Sequence, residues 1–391
     1  MKRILALPFR YRPWRPYCLK LITSDILGSA RQPTHDDRTH LTAAIDWLCH
    51  AQDIRQGNRD EGGVSAGWSF EDGWLPSYPE TSGYIVETFI AAAAVLSRPE
   101  LLDRAKRIID WELSIQNEDG SFPGHFGEPG SRPVIFNTGQ IMHGLVAGAT
   151  RLDRPECLDA AVRAGHWMTR QQDDDGCWRR SVHNDTPHTY NTRAAWALLR
   201  TGLLSDDSVL VESARKNLAW ALTQQNEKGW YATNAFVPDV PPFTHTIAYA
   251  IRGILESGLL LEDEQLIDSA VKAAKALSDA QRHDGWLAGT YDENWSTGAS
   301  YCCLTGVAQM SINWLRIHQA RPSDWAPESA IKGIEYLKRN QRVFGKSDPA
   351  EGSIAGSAPI WGAYSRFEFP NWATKFYADA LMIRMADIAI P

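Results

Sequence analysis

The sequence predicts an all-α fold, an (α/α)6 toroid in which six helical hairpins close into one ring around a central pocket. A short pattern recurs in which a helical stretch ends in Gln and runs into an acidic turn carrying Gly, often with an aromatic residue after it. Its clear copies begin at Gln116, Gln172, Gln225 and Gln281, in steps of 56, 53 and 56 residues, the length of one hairpin with a long loop. Beyond each turn a Thr opens a more apolar stretch, at Thr81, Thr138, Thr192, Thr246, Thr305 and Thr374, each 16 to 22 residues past its Gly.

On this reading the 391 residues divide into an N-terminal extension, 1–38, and a single toroid domain, 39–391. Apolar residues make up 43% and charged residues 22%, ordinary for a chain with a large core. A net charge of -7 leaves no broad basic field, so neither nucleic acid nor an anionic membrane is an expected partner. No apolar run approaches the roughly 18 residues of a membrane span. The start, Met1 to Pro8, has too short an apolar core for a signal peptide, and Arg10, Arg12 and Arg15 follow at once. Cys18, Cys49, Cys157, Cys177, Cys302 and Cys303 are scattered, which suits free thiols in a reducing compartment. A cytoplasmic protein is expected.

A weak first copy of the turn lies around Gln56 to Gly63, and a weak last copy runs from Gln341 to Gly352. Before each Gln stands an amphipathic helix: Leu101 to Ile115 sets Leu102, Ala105, Ile108, Ile109 and Leu113 at helical spacing with charges between them. These are outer helices. The turn Gly supplies the left-handed conformation that stops such a helix, and the aromatic folds back on its last turn. The stretches after Thr, such as Ala194 to Leu199, are apolar all round and rich in small residues, as a buried inner ring requires. Inner helices return to the next outer helix through short links, Ser97 to Glu100 and Arg151 to Pro155. The long loops and the inner-helix starts therefore share one face, and the partial positive ends of six parallel helices meet at one mouth.

Equivalent positions in a ring face a shared axis, so the residues just before Thr are the first site candidates: Glu80, Asn137, Asn191 and His245, with Leu304 and Ala373 in the remaining two repeats. Helix capping is the competing role for the two Asn. The segment His183 to Arg193 is the densest in chemical groups. There His188 or Tyr190 suits proton transfer, while Asn191 and Arg193 suit a carboxylate, a combination that fits proton abstraction beside a uronate. The catalytic candidates are His188, Tyr190, His245 and Glu80. The substrate-binding candidates are Trp74, Tyr84, Asn137, Asn191, Arg193, Tyr249, Trp295, Tyr364, Arg366, Asn371, Trp372 and Lys375, because polar and aromatic side chains at one mouth suit sugar faces or isoprenoid chains. Paired carboxylates for hydrolysis would come from Glu80, Asp292, Glu293 and Glu368. Asp173 to Asp175 read as a solvated turn. Cys302 and Cys303 lack metal-ligand spacing, so no metal and no cofactor is expected.

The repeat resembles the α/α-toroid superfamily, which includes triterpene cyclases, protein prenyltransferase β-subunits, lanthionine cyclases and many glycan lyases, hydrolases and epimerases. The turn at Gln172 to Trp178 is similar to the cyclases' QW motif, but their Asp-x-Asp-Asp motif has no counterpart on an inner helix. Cys303 resembles a lanthionine-cyclase position, yet the following Cys-His pair is missing near Asn371 and Trp372. The segments Tyr78 to Tyr84, Cys303 to Gly306 and Pro370 to Phe376 look similar to bacterial toroid proteins associated with exopolysaccharide. That resemblance implies a carbohydrate-active enzyme on an acidic oligo- or polysaccharide, by lyase, hydrolase or epimerase chemistry. By resemblance to toroid lyases, His188 or Tyr190 would act as the base while Asn191 and Arg193 neutralise the uronate. An isoprenoid cyclase or prenyl-transfer enzyme and a non-catalytic glycan-binding toroid are the alternatives.

Overall fold

The structure is a computed structural model that describes residues 10–28, 34–128, 130–343 and 349–386. A first helix, α1 (Pro16–Ile26), precedes twelve that alternate between two concentric layers. The outer layer is α2 (Asp37–Asp53), α4 (Glu100–Ile115), α6 (Pro155–Gln171), α8 (Ser208–Thr223), α10 (Glu264–Ala280) and α12 (Trp325–Asn340). The inner layer is α3 (Pro79–Val95), α5 (Ile135–Arg151), α7 (Thr192–Leu204), α9 (Thr244–Leu261), α11 (Leu304–Ala320) and α13 (Asn371–Ala386). Each inner helix packs on the next and α13 packs on α3, which closes the ring. This is the expected (α/α)6 toroid.

Burial separates the layers as the patterning requires. Outer α4 hides Leu101, Ala105, Ile108 and Ile109 and leaves its charged face to water, whereas inner α5 is buried continuously from Ile135 to Gly148. Asp36, Asp207 and Asp263 cap α2, α8 and α10 by accepting amide hydrogens of the first turn.

The recurring Gln is the fastener of the ring. Its side-chain Nε2 donates twice, to the carbonyl of its own turn Gly and to a carbonyl of the next outer helix: Gln116 to Gly120 and Ala160, Gln172 to Gly176 and Ser213, Gln225 to Gly229 and Ser269, Gln281 to Gly285 and Ser329. Gln341 does the same to Gly352 and to His40 of α2, so the last repeat is buttoned to the first. In the first repeat the equivalent pair is Gln52 and Gly62, rather than the Gln56 and Gly63 read from sequence, because α2 runs on into extra turns at 54–61. The turn glycines hold positive φ and sit so close to the neighbouring helix that a Cβ at Gly176 would lie 2.2 Å from the carbonyl oxygen of Lys216. Replacing Gln172 by Leu removes the two bonds its amide donates and leaves the Ser213 hydroxyl without its acceptor, and is expected to lower unfolding free energy by about 2–3 kcal/mol. Denaturant titration checks this, and an unchanged midpoint would show that Gln is dispensable.

The all-α expectation omitted short strands in the long loops, where backbone groups lacking helical partners pair with each other. β1 (Gly67–Ser69) lies between β2 (Gly73–Trp74) and β5 (Glu368–Pro370), with Gly67 opposite Pro370, and so ties the first loop to the last. β3 (Cys302–Cys303) pairs with β4 (Ser357–Ala358). The α1 helix docks over the last loop: Asp25 accepts from Arg342 at 2.7 Å and from the Ile360 amide at 2.6 Å, and Tyr17 packs edge-on to Trp68. No helix among the described residues is long and apolar enough to cross a membrane.

Candidate active site

At the mouth where the inner helices begin lies a cavity of ≈ 250 Å³. Its wall combines residues at the starts of inner helices with residues of the long loops. Pro79 at the first helical position starts α3 and places Glu80 on the wall, α5 contributes Phe136, α9 contributes His245 and, one turn on, Tyr249, and α13 contributes Trp372. Tyr190 comes from the tight turn leading into α7. The loops add Tyr78, His183, Phe236, Phe243, Ala363, Tyr364 and Ser365.

The rings pack into one continuous lining. Phe136 stands 5.1 Å from Tyr190 and 5.0 Å from Tyr249; His245 stands 4.4 Å from Tyr249 and 5.0 Å from Tyr364. Trp372 donates its indole N–H to the Tyr364 hydroxyl at 2.8 Å. Such walls suit the apolar faces of a sugar ring, with hydroxyls to orient it.

Two proton-transfer groups face this space. Glu80 accepts the Tyr78 hydroxyl at 2.8 Å, and burial pushes its carboxyl up to about 7 against the opposing pull of that bond and of Arg193. Near neutral pH it is therefore both acid and base. His245 is held neutral, its pKa brought down to about 3 chiefly by burial, with Arg193 adding repulsion. Nδ1 of His245 lies 2.8 Å from Oε1 of Gln309, an amide oxygen that accepts, which puts the ring proton on Nδ1 and leaves Nε2 as the basic nitrogen. His183 is likewise neutral, lowered to about 4 by burial and then by His188, with Nδ1 3.2 Å from the Tyr190 hydroxyl.

Of the sequence candidates, Glu80, Tyr190, His245, Tyr249, Tyr364 and Trp372 line the cavity. His188 lies behind it, stacked on Tyr190 at 4.4 Å with Nε2 against the His183 carbonyl, so it positions the tyrosine. Tyr84, Arg193 and Lys375 lie beneath the floor, and Asn191 is buried within the turn before α7. Asn137 is buried beside Tyr78 with neither end of its amide hydrogen-bonded among the described residues, and neither Asn caps its helix. Asn371 ties the loops together, donating to the Ser65 carbonyl at 2.8 Å and to Thr81 at 2.9 Å. Trp74 packs on Trp47 and His50 in a separate surface groove, and Trp295 donates to the Lys228 carbonyl outside the cavity lining. Arg366, half-buried, follows Ser365 on the loop that lines the cavity.

Among the other carboxylates, Asp292 folds its own turn by accepting from Asn294 and Ser296, and Glu368 belongs to β5. Asp173 and Asp175 are bridged by Arg179 at the surface. Cys303 caps α11 through its sulfur. Phe136, Phe236 and Phe243 were not anticipated, since an apolar residue carries no chemical signal of a site. Phe136, Tyr190 and Trp372 do share one register, two residues before their Thr, whereas Glu80 and His245 stand one before.

Two family models match parts of the chain: the squalene-hopene cyclase C-terminal domain over residues 84–255 and the prenyltransferase alpha-alpha toroid domain over residues 11–141. No curated protein matches it by sequence. A sugar epimerase from a ruminal bacterium superposes with a TM-score of 0.71 at 15% identity, covering 90% of this chain and 99% of the other. Cellobiose 2-epimerase from Bacillus thermoamylovorans gives 0.71 at 11% identity, over 89% and 98%. The unsaturated glucuronyl hydrolase of Bacillus sp. GL1, described as responsible for glycosaminoglycan degradation, gives 0.68 at 13% identity, over 89% and 97%. These likenesses extend around the whole ring and establish the toroid fold.

Proposed function

We propose, taking as premise a toroid shared with sugar epimerases and glucuronyl hydrolases, that this chain is a carbohydrate-active enzyme working on the end unit of an acidic oligo- or polysaccharide. The observation that carries the reading is the juxtaposition of Glu80, poised near neutrality, with a neutral His245 of fixed tautomer in one aromatic cavity. Of lyase, hydrolase and epimerase chemistry, the lining favours epimerisation. Glycoside hydrolysis ordinarily takes two carboxyl groups across the bond, and Glu80 is the one carboxylate among the lining residues.

Nε2 of His245 removes the proton from the carbon beside the carbonyl of the open-chain sugar, and the C–H electron pair becomes the double bond of an enediolate. Protonated Glu80 then returns a proton to that carbon from the other side. The developing oxyanion faces the inner-helix N-termini. Arg366 is the residue we assign to a uronate carboxylate at the rim. The six cysteines are free and buried, which supports a cytoplasmic enzyme handling precursors or imported fragments of an exopolysaccharide.

Eight aromatic side chains besides the histidines line the cavity, and both family models carry isoprenoid names, so isoprenoid cyclisation or prenyl transfer is the second reading. One assay separates them. The protein is incubated in D₂O with acidic and neutral reducing disaccharides, or with prenyl diphosphates and Mg²⁺, and products are read by NMR. One deuterium beside the carbonyl with a new epimer is the expected result. Released monosaccharide without deuterium would replace epimerisation by hydrolysis, and turnover of prenyl diphosphate alone would overturn the glycan reading.

A further inference from the structure

Beneath the floor of this cavity, on the ring axis, is a second and much smaller one of ≈ 20 Å³, room for one water or a monatomic ion. Arg193, Arg252, Lys375, Asp379, Gln309 and Asn313 line it together with apolar side chains. Lys375 is ion-paired with Asp379; Arg252 lies 3.1 Å from Glu256, which Arg316 also engages at 2.7 Å; Arg200 takes Glu87 at 2.8 Å. Arg193 makes no ion pair among the described residues, although it attracts the Glu80 carboxyl above it. Its Nε donates to Oε1 of Gln140 at 2.7 Å, and the rings of Tyr84, Trp196, Tyr249 and Phe376 surround the guanidinium at 5.3 to 5.9 Å.

With Glu80 protonated, this belt thus sets five cations against three carboxylates in the interior of the ring. Aromatic faces offset part of that surplus, but uncompensated buried charge is among the costliest features a fold can carry. Burial holds the Lys375 ammonium below its ordinary range, and Arg193 adds to the repulsion. Asp379 cannot offset the surplus further, since one oxygen accepts from Thr88 and the other from Lys375.

We propose that this axial cavity binds a halide-sized monoanion, chloride in the cell, held by Arg193, Arg252 and Lys375. Such an ion removes half of the charge surplus and fits a space too small for phosphate or a sugar carboxylate. It also acts on the site above. Gln309 lines the cavity and bonds His245, so an anion that draws the amide N–H₂ toward itself turns the amide oxygen to Nδ1–H of His245 and fixes that tautomer from below. This last consequence rests on the role given to His245; the binding itself does not.

The test uses the full chain and needs no substrate. Melting is followed in sodium chloride and in sodium gluconate at equal ionic strength and pH. Chloride at 100 times its dissociation constant is expected to raise Tm by about 3 °C, saturably. Crystals soaked in sodium bromide are expected to show an anomalous peak between Arg193 and Lys375. Arg193→Met removes the cation that makes no ion pair and is expected to abolish the chloride-dependent rise; should that variant not fold, the bromide experiment on the unaltered protein decides. Equal melting in both salts with a water in the cavity overturns the proposal, and so does a chloride effect with bromide found only at the surface.

Discussion

Replacing Glu80 by Gln is expected to lower kcat on the sugar substrate about 10²–10⁴-fold, the range that a positioned acid or base contributes, with little change in KM. The substitution preserves shape and can still accept the Tyr78 hydroxyl, so loss of turnover would report the proton and not the fold. A second readout distinguishes the role from mere packing. The folded protein holds the Glu80 proton up to about pH 7, whereas the unfolded chain releases it near an ordinary carboxylate value. Between those two values the native state binds more protons than the unfolded state, so stability falls as pH rises through this window and stays lower above it. Gln removes that loss. The variant should therefore melt together with the parent near pH 4.5 and above it at pH 8, while other buried carboxyls such as Glu112 cancel in the comparison. Retention of full activity would remove Glu80 from the mechanism.

Gly253→Val is expected to be among the most damaging single changes on the inner ring, costing upward of about 3 kcal/mol and in the limit preventing folding. Inner helices α7 and α9 meet backbone to backbone at this point: a Cβ on Gly253 would stand 2.3 Å from the Thr192 carbonyl carbon and 2.4 Å from the Arg193 amide nitrogen. Neither can yield without moving Arg193 and the rings around it. Gly298→Ala serves as the control, because nothing lies within 4 Å of its Cβ position. Urea titration of both checks the contrast, and a Gly253 variant within about 0.5 kcal/mol of the parent would show that the helices can part at little cost.

The fold was legible because its signal is repeated. Gln, acidic turn, Gly and aromatic recur at a fixed step, and the close approach of Gly176 to Lys216 shows why the Gly must stay small. The first repeat was misread by a few residues, since the turns after α2 shift Gln52 and Gly62 out of the common spacing. The site was legible only in part. Superposing the Thr positions named Glu80 and His245, which face the cavity, along with Asn137 and Asn191, which are buried behind its wall. The reason is rotational: on α5 and α13, and in the turn before α7, the cavity-facing residue stands one position earlier, at Phe136, Trp372 and Tyr190. Loop residues obey no such register. Tyr364 reaches the wall and Trp74 faces away from it because β1, β2 and β5 fix those loops through pairing between chain segments some 300 residues apart, which no local pattern records.

That pairing has a consequence of its own. A linear array of repeats frays from its ends, where the last unit has only one neighbour. Here the terminal units are each other's neighbours, and the seam between them is made by Gln341 on His40 and by β1 on β5. The same seam leads straight into Asn371 and Trp372, so the clasp of the ring is also a wall of the pocket. Any molecule that binds only the closed ring stabilises that clasp by mass action.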